Sequence, residues 1–524
     1  QYIITIMKMQ GEIFAFFEKI FGEITRRSNP MMEYQSTRNP ELHATAAQAV
    51  LQGLAPDGGL YTMPSLAQVK LDWQAVLQLD TLSMAREILA ALLPSYDKEE
   101  MNKLVHAAYA GKFETSDLTP TVSVGEDAVL ELFRGPTSAF KDVALSMLPR
   151  LMTAAREKCG VEDEILILTA TSGDTGKAAM AGFQDVPGTK IIVFYPYGGV
   201  SAVQQRQMES QLGRNVCVCA VRGNFDDAQT GVKEIFAAVE RQKLLEGKGV
   251  RLSSANSINI GRLAPQVVYY FRAYADLCRM GRVKVGDKVD FAVPTGNFGD
   301  ILAGYFAREL GLPVGRLVCA SNANNVLTEF LRTGRYDRNR PFYKTVSPSM
   351  DILVSSNLER LLYLMSGDAA LVAQLKETGV YQVPDALLEK MQSVFWSGCC
   401  DDAATKAAIG RLWKEQRYLA DTHTAVAWQV AQDYKAACAD HNPVVVLSTA
   451  SPYKFPAAVL EGLGEQPEDD EFAVMERLHA LTGVPVPPNL ASLRQQAVRH
   501  RDVIDREDML AYVLKKAGEP VWSE

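Results

Sequence analysis

An α/β protein is the fold class this sequence predicts: two lobes of parallel sheet flanked by helices, with a mostly helical region ahead of them. Three observations carry that expectation. Six short runs rich in β-branched residues occur at 164–169, 190–195, 215–221, 289–293, 316–320 and 443–449, and they are apolar without alternation. Strands that are apolar on both faces belong to parallel sheets covered on both sides. Each run is followed by a Gly- or Ser-containing turn and then by a stretch with helical periodicity. The runs also fall into two clusters, roughly 150–285 and 286–460, one for each lobe. At 524 residues the chain is too long for a single core and divides into about three domains or subdomains.

In chain order, residues 1–31 read as an extension. Ile13, Phe16, Phe17, Ile20 and Ile24 fall at helical spacing, but Glu12, Glu18 and Glu23 interrupt any long apolar run. The segment therefore resembles neither a signal peptide nor an acid-poor transit peptide, and Met31-Met32 is read as a beginning. Residues 32–115 are mostly helical, broken by the turn Leu54–Tyr61 with its adjacent Gly58 and Gly59. Residues 116–149 open the larger lobe, which resumes at 286–463, while 150–285 form the smaller one. The acidic connector 464–472 then leads into a helical tail ending at 524.

Composition excludes several classes. A formal charge of −8 argues against nucleic-acid or acidic-membrane partners, although a local basic pocket for a small anion remains open. No apolar run reaches the ~18 residues needed to span a membrane. The eight cysteines contain no C-x-x-C and read as reduced thiols in a cytoplasmic protein. The six histidines contain no H-E-x-x-H, so no metal site is expected.

The chemistry begins at Lys141. Gly135 and Pro136 break the chain, Thr137 and Ser138 can cap a helix start, and an apolar helical pattern follows. A helix N-terminus and enclosure by Phe133, Phe140 and Leu145 both disfavour the ammonium form, leaving the free amine that carbonyl chemistry requires. Strand 164–169 runs into Thr169–Gly176, where Thr171, Ser172 and Thr175 supply hydroxyls around Gly173 and a helix begins. Such a loop is either an anion site or a tight, well-capped turn. It lacks the P-loop spacing and is not G-x-G-x-x-G, which disfavours an NAD enzyme. A second loop, Pro294–Asp300, lets backbone approach a ligand at Gly296 and Gly299 before a helix starts, or else uses Asp300 as a plain N-cap. The third segment, Ser253–Arg262, gathers Asn256, Ser257 and Arg262 into a clamp for a second phosphate or carboxylate, or into a polar turn with a surface arginine. A fourth, Leu447–Pro456, ends a buried strand with Ser448 and Thr449, well placed to meet a ligand in the crevice. One lysine, two loops and a separate clamp suit a pyridoxal phosphate enzyme acting on a phosphorylated substrate.

On those residues the chain resembles the threonine synthase family, fold type II pyridoxal phosphate enzymes that convert O-phosphohomoserine and water to threonine and phosphate. The resemblance runs through Tyr34–Arg38, Leu51–Tyr61, Gly135–Asp142, Ala170–Gly176, Asn256–Asn259, Pro294–Gly299 and Asp421–Ala425. It implies that Lys141 bonds the cofactor and that Gly296, Asn297, Phe298, Gly299 and Asp300 form the cofactor phosphate loop. It sets Thr449 against the pyridine nitrogen. Ser172, Gly173, Asp174 and Thr175 fall where the family holds the substrate carboxylate and the cofactor ring oxygen, and Asn256, Ser257 and Arg262 where it holds the substrate phosphate. The resemblance leaves a monomer or a homodimer open. Arg134 and Ser451 stand where many relatives carry histidine, and Arg134 would further depress the Lys141 pKa if close. Asp421 and His423 are read as a hydrogen-bonding turn in preference to site residues. A phospho-lyase giving 2-oxobutyrate, ammonia and phosphate needs the same residues, and a non-catalytic binding protein on the same frame is the alternative from another class.

Overall fold

The computed structural model describes residues 34–171, 173–519 and 522. The reading of residues 1–31, the start at Met31-Met32 and the role of Ser172 lie outside the described residues. All six apolar runs are strands. The larger sheet has six, in the order Phe395–Cys399, Val314–Ser321, Val289–Pro294, Val444–Ser448, Asp127–Glu131 and Thr121–Val124. Every neighbouring pair is parallel except the last. The second sheet runs Asp502–Ile504, Val216–Val221, Thr189–Pro196, Glu164–Ala170 and Val250–Ser253, parallel throughout. Val289–Pro294 and Val444–Ser448 are buried at every position, which is why their sequences do not alternate.

Between the sheets lies the helix Ile260–Arg279, buried at every position from Ile260 to Leu277, packed against the helices Lys141–Lys158 and Gly299–Glu309. A helix buried on every face has neighbours on every face, and here Arg262, Gln266, Arg272 and Asp276 are enclosed along with the apolar side chains. One continuous core therefore joins Leu145 and Leu148, Ile165 and Ile191, and Phe291 and Leu317.

Two expectations need correction. The N-terminal region has the helices Ala46–Gln52, Thr81–Leu92 and Lys98–Tyr109, but also a three-stranded antiparallel sheet of His43–Ala44, Tyr34–Ser36 and Tyr61–Thr62. The end of the expected turn is thus a strand. The tail contains the helices Glu471–Thr482 and Met509–Ala517, yet Asp502–Ile504 between them adds an edge strand beside Val216–Val221. Strands of two or three residues are too short to display a period of two. Among the described residues no helix is long and apolar enough to cross a membrane.

Candidate active site

Lys141 is the first residue of its helix, preceded by Phe140 without a side-chain cap. The expected capping by Thr137 and Ser138 is not what the structure uses. Thr137 donates its N–H (2.8 Å) and its hydroxyl (2.5 Å) to the buried carboxylate of Asp142. Ser138 takes a left-handed φ of 59° and donates to Asn489 at 3.0 Å. Gly135 lies so close to Asp142 that a Cβ there would sit 2.6 Å from the aspartate Cβ, so a glycine is required. The loop is zipped to the segment after Val444–Ser448: Phe140 N–H donates to the Thr449 carbonyl (2.8 Å) and Ser451 N–H to the Ser138 carbonyl (3.1 Å).

The Lys141 amine faces the Ser349 hydroxyl at 3.4 Å and sits 5.2 Å from the Phe140 ring centroid. Its pKa is pushed down to about 8, chiefly by burial; Asp174 opposes the shift, while Lys454 and Arg262 add to it. A usable fraction is therefore free amine near neutrality. Arg134 spends its charge elsewhere, on Glu131 (2.6 Å) and Glu114 (3.0 Å).

The loop Pro294–Asp300 leaves its strand with Thr295 donating to the Val293 carbonyl at 2.7 Å. Phe298 adopts φ 62°, a left-handed conformation rare for a bulky residue, and its buried ring packs 5.7 Å from Phe395. Gly296 passes so near the Ser349 carbonyl that a Cβ would meet it at 2.7 Å. The loop's carbonyls are turned outward. Gly296 O accepts from Ser355 (2.9 Å), and Asn297 O accepts from the Asn357 backbone (3.0 Å) and side chain (3.1 Å). Among the described residues the first-turn N–H groups of the helix at Gly299 carry no hydrogen bond, as a helix start able to take an anion requires. Asp300 follows, buried, with Tyr269 (2.5 Å) and Tyr270 (3.1 Å) donating to one oxygen and no partner for the other among the described residues. Burial raises its pKa to about 7 against the pull of both tyrosines.

The loop after Glu164–Ala170 is organised differently. The Thr171 hydroxyl is not offered to a ligand; it accepts from Gly173 N–H and Gly176 N–H, both at 3.0 Å. Gly173 has φ 146° and abuts the Gln204 side chain, 2.3 Å from where a Cβ would stand. Thr175 is half-buried. Asp174 opens the helix Asp174–Phe183, and its carboxylate meets Lys454 at 2.6 Å and Gln204 at 3.3 Å. Burial would raise its pKa, but Lys454 and then Lys141 hold it well below the usual carboxylate range.

In the clamp segment Asn256 is exposed, Ser257 half-buried and Arg262 buried. Arg262 donates to the Ala255 carbonyl at 2.9 Å while its Nε has no partner among the described residues. Asn259 caps the following helix by accepting from Gly261 N–H at 2.8 Å. Thr449 is 5% exposed, and its hydroxyl makes no hydrogen bond among the described residues.

Several residues of this site were not singled out from sequence. Asn357, fully buried, donates to both Ser257 O (3.1 Å) and Asn297 O (3.1 Å), joining the clamp to the glycine loop. Arg360 braces it, bonding Asn357 Oδ1, Tyr61 O and Ile258 O. Lys454, Gln204 and Ser349 complete the surround. Asp421 and His423 form the expected turn, Asp421 capping the helix Thr422–Ala437, and His423 reaches beyond it to accept from Ser349 N–H at 3.1 Å. Among the described residues no group of three or more His, Cys, Asp or Glu is arranged to hold a metal.

Loops at the carboxyl ends of parallel strands, an amine of lowered pKa, a helix-start anion loop, and an Arg262 nitrogen and a Thr449 hydroxyl without partners among the described residues fit a phosphate-bearing carbonyl cofactor with a second anion beside it. This is the equipment of a pyridoxal-phosphate-dependent enzyme. Residues 128–391 match the family model described as pyridoxal-phosphate dependent enzyme, residues 33–109 that of the threonine synthase N terminus, and residues 424–509 that of the threonine synthase C-terminal region. The chain belongs to the threonine synthase family. It is 39% identical over 445 residues to threonine synthase of Pseudomonas aeruginosa, covering 83% of this chain and 92% of that one. It is 38% identical over 436 residues to human threonine synthase-like 1, covering 80% of this chain but only 58% of the human protein. Among solved structures, the PLP-bound threonine synthase from Brucella melitensis superposes with a TM-score of 0.80 at 36% identity, over 93% of this chain and 100% of that one. The yeast threonine synthase gives 0.82 at 31% identity, over 94% and 99%.

Proposed function

We propose that this chain is itself a threonine synthase, converting O-phosphohomoserine and water to threonine and phosphate, with Lys141 as its reactive amine. The observation that carries this reading is the Lys141 amine, lowered to about 8, lying within reach of Arg262's charge while Arg262 keeps a buried nitrogen that has no partner among the described residues. A dehydratase acting on an unphosphorylated substrate has no use for that second cation.

The bound cofactor supplies the electron sink that lets the substrate Cα–H bond ionise and phosphate depart. Lys141 would anchor that cofactor, and its amine is the group placed to take and return protons at the substrate carbons. Gly296, Asn297, Phe298, Gly299 and Asp300 hold the cofactor phosphate at a helix start. Thr449, a neutral hydroxyl, would face the pyridine nitrogen without protonating it. Gly173 and Thr175, with Ser172 by its place in the sequence, receive the substrate carboxylate, and Asp174 borders the cofactor ring oxygen. Asn256, Ser257 and Arg262 hold the substrate phosphate until it leaves. The eight unpaired cysteines suit a cytoplasmic enzyme, acting as a monomer or homodimer.

The test compares wild type and Lys141→Ala after pyridoxal phosphate is added. Wild type is expected to become yellow and to release threonine in step with phosphate from O-phosphohomoserine. The variant should lose the colour and slow by about 10²–10⁴-fold. Release of 2-oxobutyrate in place of threonine would make the protein a phospho-lyase, and no phosphate release with no colour would leave a binding protein.

A further inference from the structure

We propose that Ser349 is a further catalytic residue of this site, the group that receives and orients the Lys141 amine, and that His423 and Asp421 are positioning residues that act through it. The inference rests on the reading of Lys141 as the reactive amine. Of the described residues, Ser349 gives Lys141 Nζ its one hydrogen-bonding contact, at 3.4 Å, a length that suits a bond tightened only when the site is filled. It does so from the single 3-10 turn Pro348–Met350, within the connection between the strand Arg335–Asp337 and the helix Leu358–Ser366.

Other residues fix it. Asn322 bonds Thr345, Ser347 and Asp351 at 2.9, 3.0 and 2.7 Å, and Asp351 accepts from Thr345 N–H at 3.0 Å. Asp402 takes Val346 N–H at 3.2 Å. On the side facing the site the latch is His423, which accepts Ser349 N–H on Nε2 at 3.1 Å. An Nε2 that accepts carries no proton, so Nδ1 holds it and donates to Asp421 Oδ1 at 2.9 Å. Asp421 in turn is fully buried and also accepts from the His423 and Thr424 backbones, at 2.9 and 3.3 Å. The imidazole is wedged edge-on against Phe455, with centroids 4.9 Å apart.

Two further contacts give the latch a purpose. The carbonyl of the same Ser349 touches Gly296, so one residue sets both the amine and the phosphate loop. The hydroxyl, by accepting one N–H of Lys141, fixes the rotation of the amine and leaves its lone pair directed into the crevice. His423 has no proton on Nε2 to give, so its part is to hold Ser349 and not to act as an acid.

Losing the hydroxyl has two opposite consequences. An acceptor for N–H favours ammonium, so the free amine becomes more abundant without it, yet less well aimed. In apoprotein, Ser349→Ala is therefore expected to raise modification of Lys141 by trinitrobenzenesulfonate at pH 7 about threefold, read by peptide mass spectrometry. It should also slow the capture of added pyridoxal phosphate, followed by absorbance in stopped flow, by about tenfold. Ser349→Thr keeps the hydroxyl and should stay near wild type on both. His423→Phe keeps the ring packing but not the acceptor; it should slow capture alone, and add little in the Ser349→Ala background. Wild-type labelling and capture in Ser349→Ala, with Lys141→Ala blank, would overturn this inference and leave the function intact. Full cofactor colour in Lys141→Ala would overturn the function itself.

Discussion

Asp174 and Asp300 occupy the same place in two copies of one local pattern, and the protein treats them in opposite ways. Each follows a buried parallel strand, lies in the first turn of the next helix and is shut away from water. Asp174 is given a cation, the fully buried Lys454 at 2.6 Å, and stays ionised well below the usual range. Among the described residues Asp300 receives only tyrosine hydroxyls on one oxygen and nothing on the other, and it rises to about 7. Two helix starts that look alike in sequence therefore differ by a charge. The Asp300 loop can lose its own negative charge when a dianion arrives, whereas the Asp174 loop keeps a fixed ion pair. That difference supports the proposed assignment of the phosphate to the loop at Gly296–Asp300.

The largest break in this comparison comes from Lys454→Met. Asp174 is then a buried charge without its cation, and about 3–5 kcal/mol of stability should be lost at pH 7, measured by urea unfolding of apoprotein. Asp174→Asn added to that variant should recover most of it. The folded pKa lies below the unfolded value of about 3.9, so the stabilisation is present above pH ~4 and lost as pH falls below it. The gap between wild type and Lys454→Met should therefore close in acid. Asp300 predicts the reverse. Its folded pKa near 7 exceeds the unfolded value, so stability is full below pH ~4 and declines as pH rises towards 7. Asp300→Asn keeps an acceptor for both tyrosines and removes the decline. It should exceed wild type by about 2–4 kcal/mol at pH 8 and match it at pH 4. Equal stabilities at pH 8 would mean that Asp300 carries its charge in comfort, and the contrast with Asp174 would fail.

What the sequence disclosed was whatever is local. The six long apolar strands, Lys141 after its Gly-Pro break and both glycine loops are each complete within ten residues, so pattern and turn chemistry expose them. Asp127–Glu131 escaped because acids at both ends mask a buried strand; Asp127 is paired with Lys435 and Glu131 with Arg134. Thr137 was legible as a polar residue before a helix, but its real partner is Asp142, the second residue of that helix. The surround of the site was hidden by distance along the chain. Ser349 lies 208 residues from Lys141, and the two carbonyls that Asn357 joins lie 100 and 60 residues before it. Nothing in Ser355-Ser-Asn357 distinguishes such a bridge from an ordinary helix start.

That bridge is the means of sharpening the comparison between loop and clamp. Asn357→Ala leaves Ser257 O and Asn297 O without their shared donor, at a cost of about 1–3 kcal/mol. If loop and clamp are set by one residue, the variant should weaken pyridoxal phosphate binding to apoprotein and raise KM for O-phosphohomoserine together, each by about tenfold. Cofactor titration and steady-state kinetics read the two separately. A change in one alone would show that the two anion sites are held independently.

The smallest effect is expected at Arg134, where the sequence suggested a charge acting on Lys141. Its guanidinium is one-third exposed and already committed to Glu131 and Glu114, at 2.6 and 3.0 Å. The first of those carboxylates lies at the end of a strand and the second outside the site, and together they more than offset the positive charge of Arg134 before it can act on the amine. Arg134→Gln should cost less than about 1 kcal/mol, as half-solvated ion pairs do. It should leave the rate of pyridoxal phosphate capture within about twofold of wild type. A capture rate that moved by tenfold would mean that Arg134 still projects charge onto Lys141. The lowered pKa would then belong partly to the loop's own sequence, and not to burial, Lys454 and Arg262.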